Sequence, residues 1–569
     1  MLRSCVLFFL IAFCHTSSFA LDQQQAFIEQ FKSFRVHFPE PSSPLLGDSP
    51  GRYPVSLDLL FKYVLGWVPT GEGKAMSSNC DSHLWSARLR DPRVSVSVQE
   101  QGALIQKYFL DCAAELATKE NGSFSNFITM MTMKYAPQEH PFLHRIVINL
   151  PGDIKIKGLL GLKGDYRRRP LVVVRLGIFS SVEDFKPERA WMMMLFEQAP
   201  FNVLFVENMS SPDFVANNSQ FSFGGYDEGI QNIQIARILK SPEEPISRLV
   251  SSIHMVGVSL GGHGVLFASL LNKFNSLPNS PLIQSFTALC PVVNLKPNMM
   301  SLTKEGMKSA LVDLWSRQRL KGLELKIPDL VTFDNFSFLS KAVSEVARTY
   351  RGGISYVSSV RLPPGMKDEK NFWGLNDFWP HYRDVREPVL IYATKNDPAV
   401  PFEQNSQKIK NESMRIESKN IRVVELEHGI HCTLPAAYDW FSISTLLQSY
   451  ILSHAPSFEM QMQSLNLDLD DVEWQVFLGQ QIQLVFKVKP PSKKDSFVVV
   501  AVTLRNGRDE SKELKLSLPL SQLDFKFRNP ELSDSEKEMI VRWLNQNLNI
   551  KIISEGKKFI LRASWPVVL

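Results

Sequence analysis

The sequence predicts an α/β protein with a largely parallel, doubly wound sheet and a helical cap, followed by a smaller antiparallel β-rich domain. Three observations predict it. Short, almost continuously apolar runs such as Leu171–Leu176 and Pro388–Ala393 alternate with helix-like segments, as strands buried on both faces do. A Gly-x-Ser-x-Gly turn, Gly257–Gly261, joins the apolar run Ile253–Val256 to the helical pattern Val265–Leu271. Beyond residue 457 the apolar period becomes two, as in half-buried strands.

The first residues stand apart from the fold. Arg3 gives a positive start, Cys5–Phe13 an apolar stretch too short to span a bilayer, and Ser18-Phe19-Ala20 a small-x-small site. This is the pattern of a secretory signal peptide over 1–20, so an exported protein, periplasmic or extracellular, is expected. Phe13 before Cys14 is wrong for lipid attachment, and no later run is long and apolar enough for a transmembrane helix. The net charge of +5 is spread along the chain without a basic stripe carrying interleaved aromatics, which argues against a nucleic-acid partner. Past the leader four cysteines remain, Cys80, Cys112, Cys290 and Cys432, without zinc-like spacing, and no metal or cofactor is expected. Cys80 and Cys112 are candidates to pair in an oxidising compartment, while Cys290 ends an apolar strand and reads as core.

Residues 21–140 read as mainly helical, with Gln101–Leu116 and Asn126–Met133 at helical spacing and no recognisable chemistry. Strands follow at Arg145–Leu150, Lys155–Leu162, Leu171–Leu176 and Val203–Val206, with a helix around Arg189–Glu197 whose Met192-Met193-Met194 reads as core. Helix Ile230–Leu239 leads to the strand before Ser259, and Phe286–Cys290 forms the next. Between about 296 and 386 strands vanish and a helical insertion begins, rich in aromatics: Trp315, Phe333, Phe336, Phe338, Tyr350, Tyr356, Phe372, Trp373, Phe378 and Trp379. Most of these are expected to form the core of a cap. Strands Pro388–Ala393 and Ile421–Leu426 and a helix, Phe441–Leu452, complete a domain over 141–455. In 458–569, Ile482–Val488, Phe497–Leu504, Leu514–Leu518 and Phe559–Trp565 read as strands, and Ser533 with Glu536 opens a helix by a capping box. The role of this domain is open; docking a cell-envelope partner is one.

Parallel sheets carry their chemistry at the carboxyl ends of strands, and Ser259 lies at one. A serine hydroxyl needs a base to take its proton and an acid to orient that base. The loop after Pro388–Ala393 delivers Asp397, and the loop after Ile421–Leu426 holds His428 and His431. His428 is still close to the strand end, whereas Gly429 offers the turn that carries His431 over the site.

The segments VGVSLGGHG, IYATKNDPAVP and ELEHGIHCTLP, preceded by VVVRLGIFSS and VLFVEN, resemble the α/β-hydrolase superfamily. They look like the esterase branch with bacterial, plant embryogenesis-associated and animal lipid-ester hydrolase relatives, over about residues 140–455. The resemblance implies Ser259 as nucleophile, Asp397 as orienting acid and His431 as base, at the second His of its His-Gly-x-His block. It implies an oxyanion hole from the Leu260 amide and an amide of Ile178 or Phe179. The family loop there is Gly-rich; this chain has a single glycine, Gly177, in Gly177–Ser181. The expected activity is hydrolysis of carboxylic esters, lipid or short-acyl, through an acyl-enzyme. The alternatives are a serine peptidase or amidase and an inactive binding module on the same fold.

Overall fold

The computed structural model describes residues 28–39, 89, 97–112, 142–163, 168–182, 191–197, 199–277, 280–304, 306–320, 338–350, 359–415, 418–427, 431–432 and 440–455, with the C-terminal strands given below. The leader expected over 1–20, Cys80, Asn126–Met133, Phe333, Phe336, Tyr356, His428 and the helix expected at Ser533 lie outside the described residues. The chain divides into two units, Met1–Met192 with Phe201–Pro456, and Met193–Pro200 with Ser457–Leu569.

The first unit is organised by a nine-stranded sheet: β1 (Val36–His37), β2 (Leu143–Leu150), β3 (Ile154–Gly161), β4 (Arg169–Arg175), β5 (Asn202–Val206), β6 (Val250–Val258), β7 (Ser285–Leu289), β8 (Val389–Thr394) and β9 (Ile421–Leu426). Their order is β1-β2-β3-β5-β4-β6-β7-β8-β9. Strands β4 to β9 are mutually parallel, and β1, β2 and β3 form an antiparallel margin ending on β5. Every residue of β4 and of β8 is buried, which is why these runs read as unbroken apolar sequence. Successive strands leave β4 in opposite directions, β5 to one side and β6 to the other. The order reverses there, and crevices for ligands open at such points.

Among the described residues, nine helices of seven residues or more accompany the sheet: α1 (Val98–Asp111), α2 (Pro212–Asn218), α3 (Gly225–Lys240), α4 (Leu260–Asn275), α5 (Leu295–Thr303), α6 (Met307–Arg319), α7 (Phe338–Thr349), α8 (Ser406–Arg415) and α9 (Trp440–Ser453). The N-terminal region departs from a purely helical reading, because Val36–His37 pairs with Ile148 and Val147 as an edge strand. Two residues offer no period to detect. At the far edge, α1 covers β9 by mimicking a strand: Gln106 Nε2 donates to the Glu425 carbonyl at 2.9 Å, and Gln106 Oε1 accepts from the Glu425 amide at 2.7 Å. Open sheet edges invite aggregation unless covered, and here the Gln106 side-chain amide takes the place of a partner residue opposite Glu425.

One large core packs Val173, Leu204, Val265, Phe286, Ile391 and Val423 around the sheet. A second cluster joins Phe179, Leu260 and Val292, beside the strand ends, to Val312, Trp315, Leu339 and Phe372 from the helical insertion. Trp315 and Phe372 are thus core of the insertion, as expected of the cap aromatics; Phe378 is buried instead in the large core around the sheet, and Tyr350, Trp373 and Trp379 are partly buried.

In the second unit a π-helix, Met193–Glu197, occupies part of the expected helix, with Met194 buried. Its C-terminal part has strands Met462–Asp468, Glu473–Leu478, Ile482–Lys489, Phe497–Asn506, Ser511–Pro519, Lys526–Phe527, Asn549–Glu555 and Lys558–Pro566. They form a three-stranded and a five-stranded sheet, antiparallel throughout.

Candidate active site

Ser259 stands at the joint between β6 and α4 with φ 57° and ψ −120°, outside the regions an L-residue prefers. The surroundings hold it there. Its amide donates to the Leu289 carbonyl at 2.9 Å, prolonging the β6–β7 ladder past the strand end, and its carbonyl accepts the His263 amide at 3.1 Å as the first turn of α4. The flanking glycines are required by close approach. A Cβ on Gly257 would press into the Gly261 backbone and lie 2.7 Å from Val265 Cγ2, and one on Gly261 would run into the Arg175 and Leu176 carbonyls of the neighbouring strand. Strand and helix could then not pack closely enough to lift the serine.

Asp397 and His431 come from the ends of β8 and β9. Asp397 Oδ1 accepts the amides of Ala399 and Val400, both at 2.8 Å, so its own loop fixes the carboxylate. His431 Nδ1 lies 2.8 Å from Asp397 Oδ2 and 3.1 Å from Oδ1, and His431 Nε2 lies 2.8 Å from Ser259 Oγ. A carboxylate only accepts, so Nδ1 carries the proton and Nε2 is left to accept from the serine hydroxyl. The three residues singled out from the sequence are therefore one hydrogen-bonded chain. His263, four residues after Ser259, is a buried neutral core group: Nδ1 contacts the Val292 carbonyl at 2.8 Å, and burial holds its pKa down at about 4.

Leu260 is the first residue of α4, where helix amides have no partner within the helix. The loop after β4 supplies the facing wall. A Cβ on Gly177 would be 3.3 Å from Ser259 Cβ, so Gly177, which begins the peptide carrying the Ile178 N–H, adjoins the serine. The Gly177 carbonyl accepts the Ser180 amide at 3.1 Å, closing a turn whose third residue, Phe179, has φ 58°, as in a type II turn. The Ile178 N–H is trans to that carbonyl and so points away from the turn interior. Of the two expected donors Phe179 is unsuitable, because its amide already donates to Ser210 Oγ at 2.8 Å.

Ser210 leads into a buried polar network that sequence reading missed. Its hydroxyl donates to Asn208 Oδ1 at 2.6 Å, and Asn208 Nδ2 donates to Glu228 Oε1 at 2.6 Å and to the Leu176 carbonyl at 3.1 Å. Glu228 Oε2 lies 3.7 Å from Arg175 Nε, and Arg175 also bonds Gln231. Burial pushes the Glu228 carboxyl up to about 7 while the Arg175 guanidinium pulls it down. The available signal was Arg175 itself: a charge at the end of an apolar strand demands a buried partner. Two thiols also adjoin the site. Cys290 and Cys432 are free and buried, and the Cys432 amide donates to Cys290 Sγ at 3.1 Å. Cys112 is disulfide-bonded, and its partner lies outside the described residues, as Cys80 does. Among the described residues no cluster of three His, Cys, Asp or Glu could hold a metal, and no helix is long and apolar enough to cross a membrane.

Residues 250–435 match the family model for the alpha/beta hydrolase fold, in keeping with the sheet order and the serine-bearing turn. That span includes Ser259, Asp397 and His431. No curated protein matches the chain by sequence. Among solved structures, the acylaminoacyl peptidase of Pyrococcus horikoshii is 14% identical over 57% of this chain, with a TM-score of 0.33. This chain spans 43% of that peptidase's length. Est1E from Butyrivibrio proteoclasticus is 18% identical over 55% of this chain and 98% of its own, with a TM-score of 0.32. A 2,6-dihydroxy-pseudo-oxynicotine hydrolase is 12% identical over 70% of this chain and 96% of its own, with a TM-score of 0.38.

Proposed function

We propose that the chain is an exported serine hydrolase that cleaves carboxylic esters by acyl transfer. One observation carries this reading, the continuous hydrogen-bonded chain Ser259–His431–Asp397 at the ends of three strands. Ser259 Oγ attacks the ester carbonyl while His431 Nε2 takes its proton. Asp397 holds the imidazole in the required tautomer and stabilises the imidazolium that forms. The amides of Leu260 and Ile178 receive the developing oxyanion. Collapse of the tetrahedral intermediate expels the alcohol, which leaves with the proton from Nε2, and forms the acyl-enzyme. Water then attacks that ester with Nε2 again as base, and a carboxylic acid departs.

The apolar cluster of Phe179, Leu260, Val292 and Trp315 adjoins the nucleophile and favours an apolar acyl group over a charged one. The test uses a fluorophosphonate probe and p-nitrophenyl esters set beside peptide p-nitroanilides. The protein should label and should turn over the esters with the higher kcat/KM; Ser259→Ala should lose both activities while staying folded. Failure of the wild-type protein to label refutes the hydrolase, and higher kcat/KM for anilides would make it a peptidase.

A further inference from the structure

We propose that Arg319, the last residue of cap helix α6, is a positioning residue for the oxyanion hole, acting through Phe179; the proposal rests on the serine-hydrolase reading above. Arg319 is 2% exposed, and its guanidinium NH2 donates to the Phe179 carbonyl at 2.6 Å across 140 residues of sequence. A buried guanidinium aimed at a main-chain carbonyl is a directional hold that a lysine reproduces only in part.

Phe179 needs such holds. With φ 58° it sits where a bulky L-residue stays only when its neighbours over-determine it. Its amide is tied to Ser210 Oγ at 2.8 Å and its carbonyl to Arg319. Its ring packs edge-on against Trp315 with centroids 5.1 Å apart. Two of these three holds, Arg319 and Trp315, come from α6. Release of the Phe179 carbonyl lets φ relax toward negative values, which turns the peptide planes of Gly177–Ser180 together. The Ile178 amide lies in that turn, on the peptide that begins at Gly177, the residue adjoining Ser259, so relaxation carries it off the position of the oxyanion. The cap thereby takes part in catalysis: its docking completes the donor pair, and Arg319 is the link.

The test compares wild-type, Arg319→Gln and Arg319→Lys full-length proteins on p-nitrophenyl acetate, with inhibition by n-butylboronic acid as a mimic of the tetrahedral intermediate. Because loss of an oxyanion donor costs about 10²–10³ in kcat, Arg319→Gln should fall by that order with KM within about threefold, and the boronic acid should weaken in parallel. Arg319→Lys should recover about tenfold of the loss, in proportion to its partial reach. A Gln variant with wild-type kcat, or one that only raises KM, overturns the proposal. If Arg319→Gln does not fold, Arg319→Lys decides: lowered kcat at unchanged KM with weaker boronate binding supports the role, and unchanged kcat refutes it. An inactive wild-type protein removes the hydrolase reading and this inference together. An active wild type with a fully active Gln variant removes this inference alone.

Discussion

Replacing Asp397 by Asn should inactivate the protein by reversing one proton. Asp397 Oδ1 accepts two backbone amides, those of Ala399 and Val400, each at 2.8 Å. In Asp397→Asn the side-chain carbonyl must keep that place, since an NH2 there would set donor against donor at two bonds. The NH2 group therefore takes the place of Oδ2 and faces His431 Nδ1, now 2.8 Å from Oδ2. Nδ1 must then accept, so the ring proton moves to Nε2, the atom that should take the proton of Ser259. The base is lost where it is needed while shape and volume stay the same. A wrong tautomer of this kind costs about 10⁴ in kcat, or about 5.4 kcal/mol at about 1.36 kcal/mol per decade. Steady-state hydrolysis of p-nitrophenyl acetate, with a melting curve as the folding control, measures it. Turnover within tenfold of wild type in a folded Asn variant would refute the assigned hydrogen-bond directions.

Two further outcomes are expected. Stability should be flat between about pH 4.5 and 6 and fall on either side. Burial raises Asp227 to about 6, Glu228 to about 7 and Glu207 to about 8, so each contributes stability that is complete below its unfolded value and lost as pH rises through its folded one. Burial lowers His263 and His454 from 6.5 to about 4 and His254 to about 3, so their contribution is complete above 6.5 and lost as pH falls. Between the limits three extra protons on the folded carboxyls offset three on the unfolded imidazoles; Glu207→Gln should flatten the alkaline limb, and a Tm rising steadily from pH 6 to 9 would contradict the scheme. In protein from its native source, non-reducing peptide mapping should find Cys112 in a disulfide and Cys290 and Cys432 as thiols, whereas a free Cys112 thiol would argue against export.

The sheet was legible because strands buried on both faces leave unbroken apolar runs, and Arg169–Arg175 and Val389–Thr394 are such strands. Ser259, Asp397 and His431 were legible because each follows a strand-like run within a few residues. The support of the loop after β4, proposed to carry an oxyanion donor, was not. Phe179 is held by Ser210 and Arg319, 31 and 140 residues away, and periodicity carries no record of distant polar pairing. Nor does the sequence distinguish Ile178 from Phe179 as donor, since the choice depends on which amide Ser210 occupies. The strand Val36–His37 and the glutamine pairing of α1 with β9 escaped for the same reason: both are defined by their partners.

Strands β7 and β8 are hydrogen-bonded neighbours, with Phe286 opposite Val389, although residues 290–388 lie between them. Closure entropy grows only with the logarithm of loop length, so two doublings beyond a short helical crossover cost about 1.2 kcal/mol. An excursion of this size is therefore cheap for the sheet, and it departs from and returns to adjacent positions. The scaffold can exchange what it carries there, longer or shorter, without altering the strand ends that place Ser259, Asp397 and His431. Divergence in what the protein accepts is expected to accumulate in that segment, with one boundary condition: any replacement must still supply a donor to the carbonyl of Phe179.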